Sequence, residues 1–389
     1  MKEKLFSLSR LLLSFILFSS CHPQDKFDWN AGFSAPKNYI AGGPSVVYFY
    51  KNTSLTGASS LVGINPGWGE TSGGFTGGAV LKPIPDSVFV KWRCGFDLIT
   101  YEGGFKLPRE KMLALFKTKP VDPFGDQIDY SLIVTGMAPG GNVTVWMRAG
   151  LVNTEIAKFH AKAVDTVSKN DTESGVTLWT STGKEAKEIL KYIEVHGIPY
   201  EIWKNGEKTY HYDIGFSSED RLKDQYRKAV TGFSKDGTPI YADAMGNTLN
   251  DIKLEGKKVT LDNPNKNKLP IHLGIQWISP DDSLWYESAA VLPLDFAEQC
   301  SKFKNQYGDF MIVVSMEKMS SDLPYTFGKI YLINNKRQQL IMRFRAAKLN
   351  NTTGDFYVSK YSLPKGYVFP KWQGRNNLTF PKLDYWQEH

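Results

Sequence analysis

A stretch of 24 residues occurs twice in this chain, so whatever fold it adopts has to be built twice. Displacing the sequence against itself by 185 positions lays Pro85, Trp92, Asp97, Tyr101, Glu102, Leu107 and Pro108 on Pro270, Trp277, Asp282, Tyr286, Glu287, Leu292 and Pro293, seven identities with no gap. Between them the pattern has period two. Val88, Val90 and Trp92 alternate with Phe89, Lys91 and Arg93, Gly95-Phe96-Asp97-Leu98 supplies a turn, and Ile99 to Phe105 returns. A four-residue turn sets the register, placing Trp92 across from Tyr101 and Lys91 across from Glu102. In the second copy, which turns at Pro280-Asp281-Asp282-Ser283, it places Trp277 across from Tyr286 and Gln276 across from Glu287. Cross-strand pairs of this kind contribute roughly 0.2–1 kcal/mol over alanine pairs. Packing thus accounts for the repeated Trp, Tyr and Glu without a ligand.

Each hairpin runs into a Leu-Pro step, and proline is tolerated at the first helical position because its missing N–H would find no partner there. Short helices follow, with Met112, Leu115 and Phe116 on one apolar face and Phe296, Ala297, Cys300 and Phe303 on the other copy's. The likeness extends outward. Gly32-Phe33-Ser34 corresponds to Gly215-Phe216-Ser217, Ile156 to Ala161 corresponds to Ile341 to Ala346, and Gly197 to Trp203 resembles Gly366 to Trp372 as an extended closing segment. The expected fold is mainly β with a few helices (α+β): two tandem antiparallel β-rich modules, each with a hairpin and a short helix packed on a sheet. Residues 27–205 form the first, with an added helix at 182–195 ended by His196-Gly197, residues 206–375 the second, and the aromatic tail 376–389 docks on the body. Asn52 to Gly78, rich in glycine, reads as a flexible loop. Ala79-Val80 stands where a phosphate-binding loop needs Lys and Ser or Thr, so it is no phosphate cradle.

Residues 1–20 place Lys2, Lys4 and Arg10 before an apolar run, Leu11 to Phe18, that is too short to span a bilayer and describes an export signal. Phe18-Ser19-Ser20-Cys21 resembles the lipobox of bacterial lipoproteins. That resemblance implies cleavage before Cys21, which becomes the acylated N-terminus, and a short tether over 21–26. His22, rather than Asp, at the next position implies the outer membrane; it leaves open which side the body faces, the periplasm being expected ahead of the cell surface. Cleavage would leave a net charge of (47 − 3) − (40 − 1) = +5, a mild excess that does not argue for nucleic acid.

Candidate chemistry is sparse. Cys94 and Cys300 are not equivalent in the repeat and read as buried small hydrophobes. The six histidines, His22, His160, His196, His211, His272 and His389, show no i, i+4 pair to hold a metal from one helix. No nucleophile-elbow or zinc-protease motif occurs, so no catalytic residue, metal or cofactor is expected. Two carboxylates meeting in space would suffice for glycoside hydrolysis, which leaves an envelope enzyme acting on glycans or lipids as the rival reading. Lys158, His160 and Lys162, with Arg343 and Arg345, form the nearest thing to an anion-binding face. Trp68, Trp372 or Trp386 would serve carbohydrate binding if exposed.

Trp92, Tyr101-Glu102-Gly103, Leu107-Pro108, Ala138-Pro139-Gly140-Gly141 before Val143-Thr144-Val145-Trp146, and the opening Gly32-Phe33-Ser34-Ala35-Pro36 together resemble the domain of unknown function 2931, a family of lipoproteins of Gram-negative bacteria. The resemblance covers roughly residues 27 to 205; the second module keeps Glu287 but lacks both the following glycine and the Ala-Pro-Gly-Gly turn. It implies no catalytic residues. It carries an association of some members with genes for secreted antibacterial lipase effectors, which would make them immunity proteins. The expectation is a non-enzymatic outer-membrane lipoprotein that recognises another protein.

Overall fold

The computed structural model describes residues 25–71, 77–122, 125–170, 184–218, 228–243, 249–251, 259, 261, 264, 266–278, 285–317, 325–348 and 385–386, with the backbone alone for 277–278, 285–289, 345–348 and 385–386 among others. The expected export signal, Cys21 and Trp372 lie outside them. So do the side chains of Trp277, Tyr286, Glu287, Arg345 and Trp386.

The first half contains β1 (Lys26–Asp28), β2 (Asn30–Ser34), β3 (Ala41–Tyr50), β4 (Thr53–Ser59), β5 (Leu81–Pro83), β6 (Ser87–Cys94), β7 (Ile99–Lys106), α1 (Arg109–Phe116), β8 (Leu132–Ala138), β9 (Asn142–Ala149), β10 (Val152–His160) and β11 (Lys162–Thr166). These form a four-stranded sheet, β10-β9-β8-β2, a five-stranded sheet, β11-β7-β6-β3-β4, and a ribbon, β1-β5. β2 runs parallel to β8; the other ladders are antiparallel. The chain changes sheet at Ala161, whose N–H donates to the Gly141 carbonyl at 2.8 Å. Alternation along the strands sends Phe33, Tyr48, Val90, Trp92, Val145 and Met147 inward, where they are fully buried with Trp29, between β1 and β2, and Met112 of α1. Tyr48 ties the sheets together, its hydroxyl lying 3.0 Å from the Ile133 carbonyl and 2.7 Å from Thr135 Oγ1.

Two helices, α2 (Lys184–His196) and α3 (Tyr200–Asn205), lead to the second half. It contains β12 (Thr209–Ser218), β13 (Lys228–Ser234), β14 (Pro239–Asp243), β15 (Leu249–Asp251), β16 (Lys266–Lys268), β17 (Pro270–Ile278), β18 (Trp285–Val291), α4 (Phe296–Tyr307), β19 (Phe310–Met316), β20 (Tyr325–Ile333), β21 (Gln338–Lys348) and β22 (Tyr385–Trp386). One sheet runs β14-β13-β17-β18-β21-β20-β19-β12-β15, with β16 on β12 and β22 on β21. Here β14-β13-β17-β18 has the layout of β4-β3-β6-β7, and β21-β20-β19-β12 that of β10-β9-β8-β2, down to the parallel pairing of β12 with β19. The main ladders of the halves differ in how they join. β21 continues unbroken and pairs with both β20 and β18, fusing what the first half keeps as two sheets.

The hairpin ladders pair Trp92 with Tyr101, Lys91 with Glu102, Trp277 with Tyr286 and Gln276 with Glu287. Trp92 and Tyr101 stack at 5.2 Å between ring centroids and are both buried. Three expectations need correction. Part of the glycine-rich stretch is strand β4, because Thr53 to Ser59 pairs along β3 and satisfies its backbone there. The segment 197–203 is not wholly extended: Pro199 caps α3, and proline's fixed φ suits a helix start. On α4 the buried face includes Gln299 with Phe296, Cys300 and Phe303, while Ala297 is exposed.

Candidate functional site

The turn between β6 and β7 presents Asp97, and three donors converge on its carboxylate. Oδ1 accepts the Tyr200 hydroxyl at 2.6 Å; Oδ2 accepts the Tyr101 hydroxyl at 3.0 Å and the Gly140 N–H at 2.6 Å. Glycine is required at the third of these. Gly140 has φ +74°, and a Cβ there would lie 2.6 Å from Cδ1 of Tyr200. Gly141, at φ +73°, leaves no better room, since its Cβ would meet the Ala161 carbonyl at 2.6 Å. The Ala-Pro-Gly-Gly turn is thus shaped around two tyrosines and the strand switch. Burial, reinforced by Asp97, pushes both phenols well above the ordinary tyrosine range, and the Cys94 thiol likewise. Fixed donors and a protonated thiol make this a clamp, with no group of the three poised to exchange a proton near neutrality.

α3 carries the second cluster on another side. Its Trp203, buried edge-on against Tyr39 at 4.9 Å, donates its indole N–H to the Asp236 carbonyl at 2.8 Å. Asp236 lies in the β13–β14 turn, which lodges against the first half: the Gly237 carbonyl accepts the N–H groups of Trp68 at 2.8 Å and Lys37 at 3.3 Å. The buried Asp236 carboxylate accepts from the Ser234 hydroxyl at 2.8 Å, the Thr238 N–H at 3.0 Å, the Thr238 hydroxyl at 2.6 Å and the Lys268 ammonium. Burial alone would raise its pKa; Lys268 and the hydroxyls hold it below the usual carboxylate value.

Glu207 closes the seam by accepting the N–H groups of Lys235 at 3.2 Å and Asp236 at 3.0 Å. Burial and then the Asp236 charge push its carboxyl up to about 7. A row of rings follows: Tyr192 contacts His196 at 4.5 Å and Phe233 at 5.7 Å, and Phe233 stacks on His272 at 5.1 Å. Both imidazoles are pulled down to about 4, first by burial, then by Lys235 beside His196 and by His196 and Lys37 beside His272.

The basic residues singled out in the sequence are divided. Lys158 and His160 lie on β10, with Lys158 at 3.7 Å from Glu155, while Lys162 lies across the sheet switch on β11, opposite Glu102. Arg343 spends its guanidinium on Glu317 at 2.8 and 2.9 Å, a carboxylate that Lys329 also approaches at 3.0 Å. Trp68 is buried edge-on against Trp146 at 4.9 Å and offers no open platform. Cys94 and Cys300 are buried free thiols. Among the described residues no three His, Cys, Asp or Glu side chains gather at metal-holding distance, and no helix is long and apolar enough to cross a membrane.

Sequence reasoning passed over Asp97 as a clamp and missed the seam carboxylates altogether. One signal was present: Asp236-Gly237 between two alternating runs is a hairpin turn, and Gly237 has φ +82°.

Residues 19–201 match the model of a family described as a protein of unknown function, DUF2931. The likeness to DUF2931 is confined to that first half of the chain. No curated protein and no solved structure matches the chain. Asp97 and its three donors all fall inside the DUF2931 stretch, whereas Trp203, Glu207, Asp236 and Lys268 fall beyond it.

Proposed function

We propose that this protein is a lipid-anchored recognition protein of the Gram-negative envelope, held in the outer membrane through Cys21 with its body in the periplasm. Its role would be to bind another protein, specifically to neutralise a secreted antibacterial effector. The observation that carries the reading is the Asp97 clamp: the acidic, phenolic and amide groups of the DUF2931 motifs are spent on one another, as in a scaffold that presents a surface. The basic leader ending in Ser19-Ser20-Cys21 supports the anchor. We read the second half as a diverged copy of the first, supported by the matching strand layouts and the seven shared residues.

Affinity capture of the full lipidated chain from envelope extracts should enrich one envelope or effector protein, and deleting the gene should sensitise cells to an effector encoded beside it. No capture together with unchanged resistance would end the proposal. Radiolabelled fatty acid should enter the native chain and not its Cys21→Ala variant.

A further inference from the structure

The β1–β5 ribbon lies where the chain emerges from its amino-terminal segment. Its inner side is committed to the body, with Phe27 stacked on Phe116 at 4.7 Å and Lys82 over the Trp29 ring at 5.5 Å. The outer side is different. Residues 77–81 are exposed in an unbroken run, and its two large aliphatics, Val80 and Leu81, are 68 % and 57 % exposed.

Three carbonyls of that tip, those of Gly77, Ala79 and Val80, do not depend on water. Lys82 turns inward and its ammonium donates to the Ala79 carbonyl at 2.6 Å and the Val80 carbonyl at 3.2 Å, while the Thr56 hydroxyl donates to the Gly77 carbonyl. Internal satisfaction of backbone acceptors is what a segment needs on entering a medium that cannot hydrogen-bond it. The lysine responsible is itself buried, and that burial lowers its pKa while the nearby Asp28 opposes the shift.

Position supplies the second argument. Leu81 pairs with Asp28, so it lies about 12 Å from Asp25, three residues along one strand and one strand across. From Asp25 to Cys21 the chain can reach at most about 14 Å. A lipid on Cys21 would therefore hold this face, and not the far end of the molecule, against the bilayer. The charged groups around the tip are mixed: Lys26 and Asp28 on β1, and Lys117 paired with Asp25 at 3.6 Å.

We propose that Ala79, Val80 and Leu81 form an apolar wedge that enters the headgroup boundary of the membrane carrying the lipid anchor, fixing the orientation of the body above it. This rests on the lipid-anchor reading of Cys21, and the test separates the two. The full chain, lipidated in a Gram-negative host and reconstituted into phosphatidylethanolamine–phosphatidylglycerol vesicles, would carry a fluorescent thiol label at Leu81→Cys, at Val80→Cys or at Leu61→Cys. Leu61 is 90 % exposed and follows the opposite end of β4 from Leu55, beside which the Gly78 backbone lies. The buried Cys94 and Cys300 thiols, their pKa values raised, stay unlabelled. Nitroxide-bearing lipid should quench the labels at 80 and 81 at least about threefold more than the label at 61, in protein that incorporates radiolabelled fatty acid. Equal quenching in lipidated protein overturns the wedge and leaves the anchor standing. Failure to incorporate fatty acid overturns the anchor reading and the wedge with it.

Discussion

The turn between β3 and β4 consists of Lys51 and Asn52, both exposed and both at positive φ, as a tight two-residue hairpin demands. The turn between β13 and β14 holds the corresponding place in the second half, yet it is buried, with Ser234 and Asp236 almost wholly shielded and Gly237 bonded to Trp68 and Lys37. One layout thus gives a free tip in one half and the plug between halves in the other. The difference lies in polar groups: the buried turn carries an internal carboxylate that satisfies four donors, whereas the free turn has only to bond Asp86 at its edge, the Lys51 N–H lying 2.7 Å from Oδ2.

If that contrast is correct, Asp236→Ala should be the most damaging change. It strands Lys268 and three further donors in the seam, and breaking a buried pair costs about 3–5 kcal/mol; denaturant melts should show the loss, and a wild-type midpoint would refute it.

Acid should act next, and at the seam. His196 and His272 have folded-state values near 4 against an ordinary 6.5, so the unfolded chain takes up protons that the folded chain refuses between those values. Stability therefore falls as pH drops from about 6.5 to about 4. Glu207, raised to about 7, works in the opposite sense, because the folded chain binds its proton first as pH falls from about 7 to about 4.5. His272→Gln should flatten the acid loss and Glu207→Gln should steepen it, measured as denaturation midpoints from pH 4 to 8.

Smaller effects belong to the DUF2931 clamp and the free tip. Tyr200→Phe removes one hydrogen bond to a half-exposed carboxylate and should cost about 1 kcal/mol. Lys51→Gly, at φ 48° on the exposed turn, should stay within about 0.5 kcal/mol of wild type; a larger loss would mean that this hairpin also bears on something.

The hairpins were legible because period-two alternation and turn length together determine register, and Trp92 opposite Tyr101 follows from those alone. The switch of sheets at Ala161 was not. Ile156 to Ala161 reads like Ile341 to Ala346, and nothing local says that one strand breaks where the other runs on. Nor could single charges such as Glu207, Asp236 and Lys268 announce a seam, since a lone charged residue in a polar stretch looks like solvent-facing surface until the fold brings its partners across. α3 was misread for a related reason: six residues are too few for helical periodicity to show.

That short helix grips Asp97 with its first residue and the Asp236 carbonyl with its fourth. Anyone truncating the protein at the family boundary meets a dilemma there. A fragment stopping at Glu201 keeps the phenol and discards the indole, leaving the ring of Tyr39 with Phe96 and Tyr192 but bare on its Trp203 side; one stopping at Asn205 retains the indole and uncovers its N–H. Expressed by itself, the amino-terminal half should self-associate through that bared aromatic spot, and adding the separately produced remainder should disperse the aggregates.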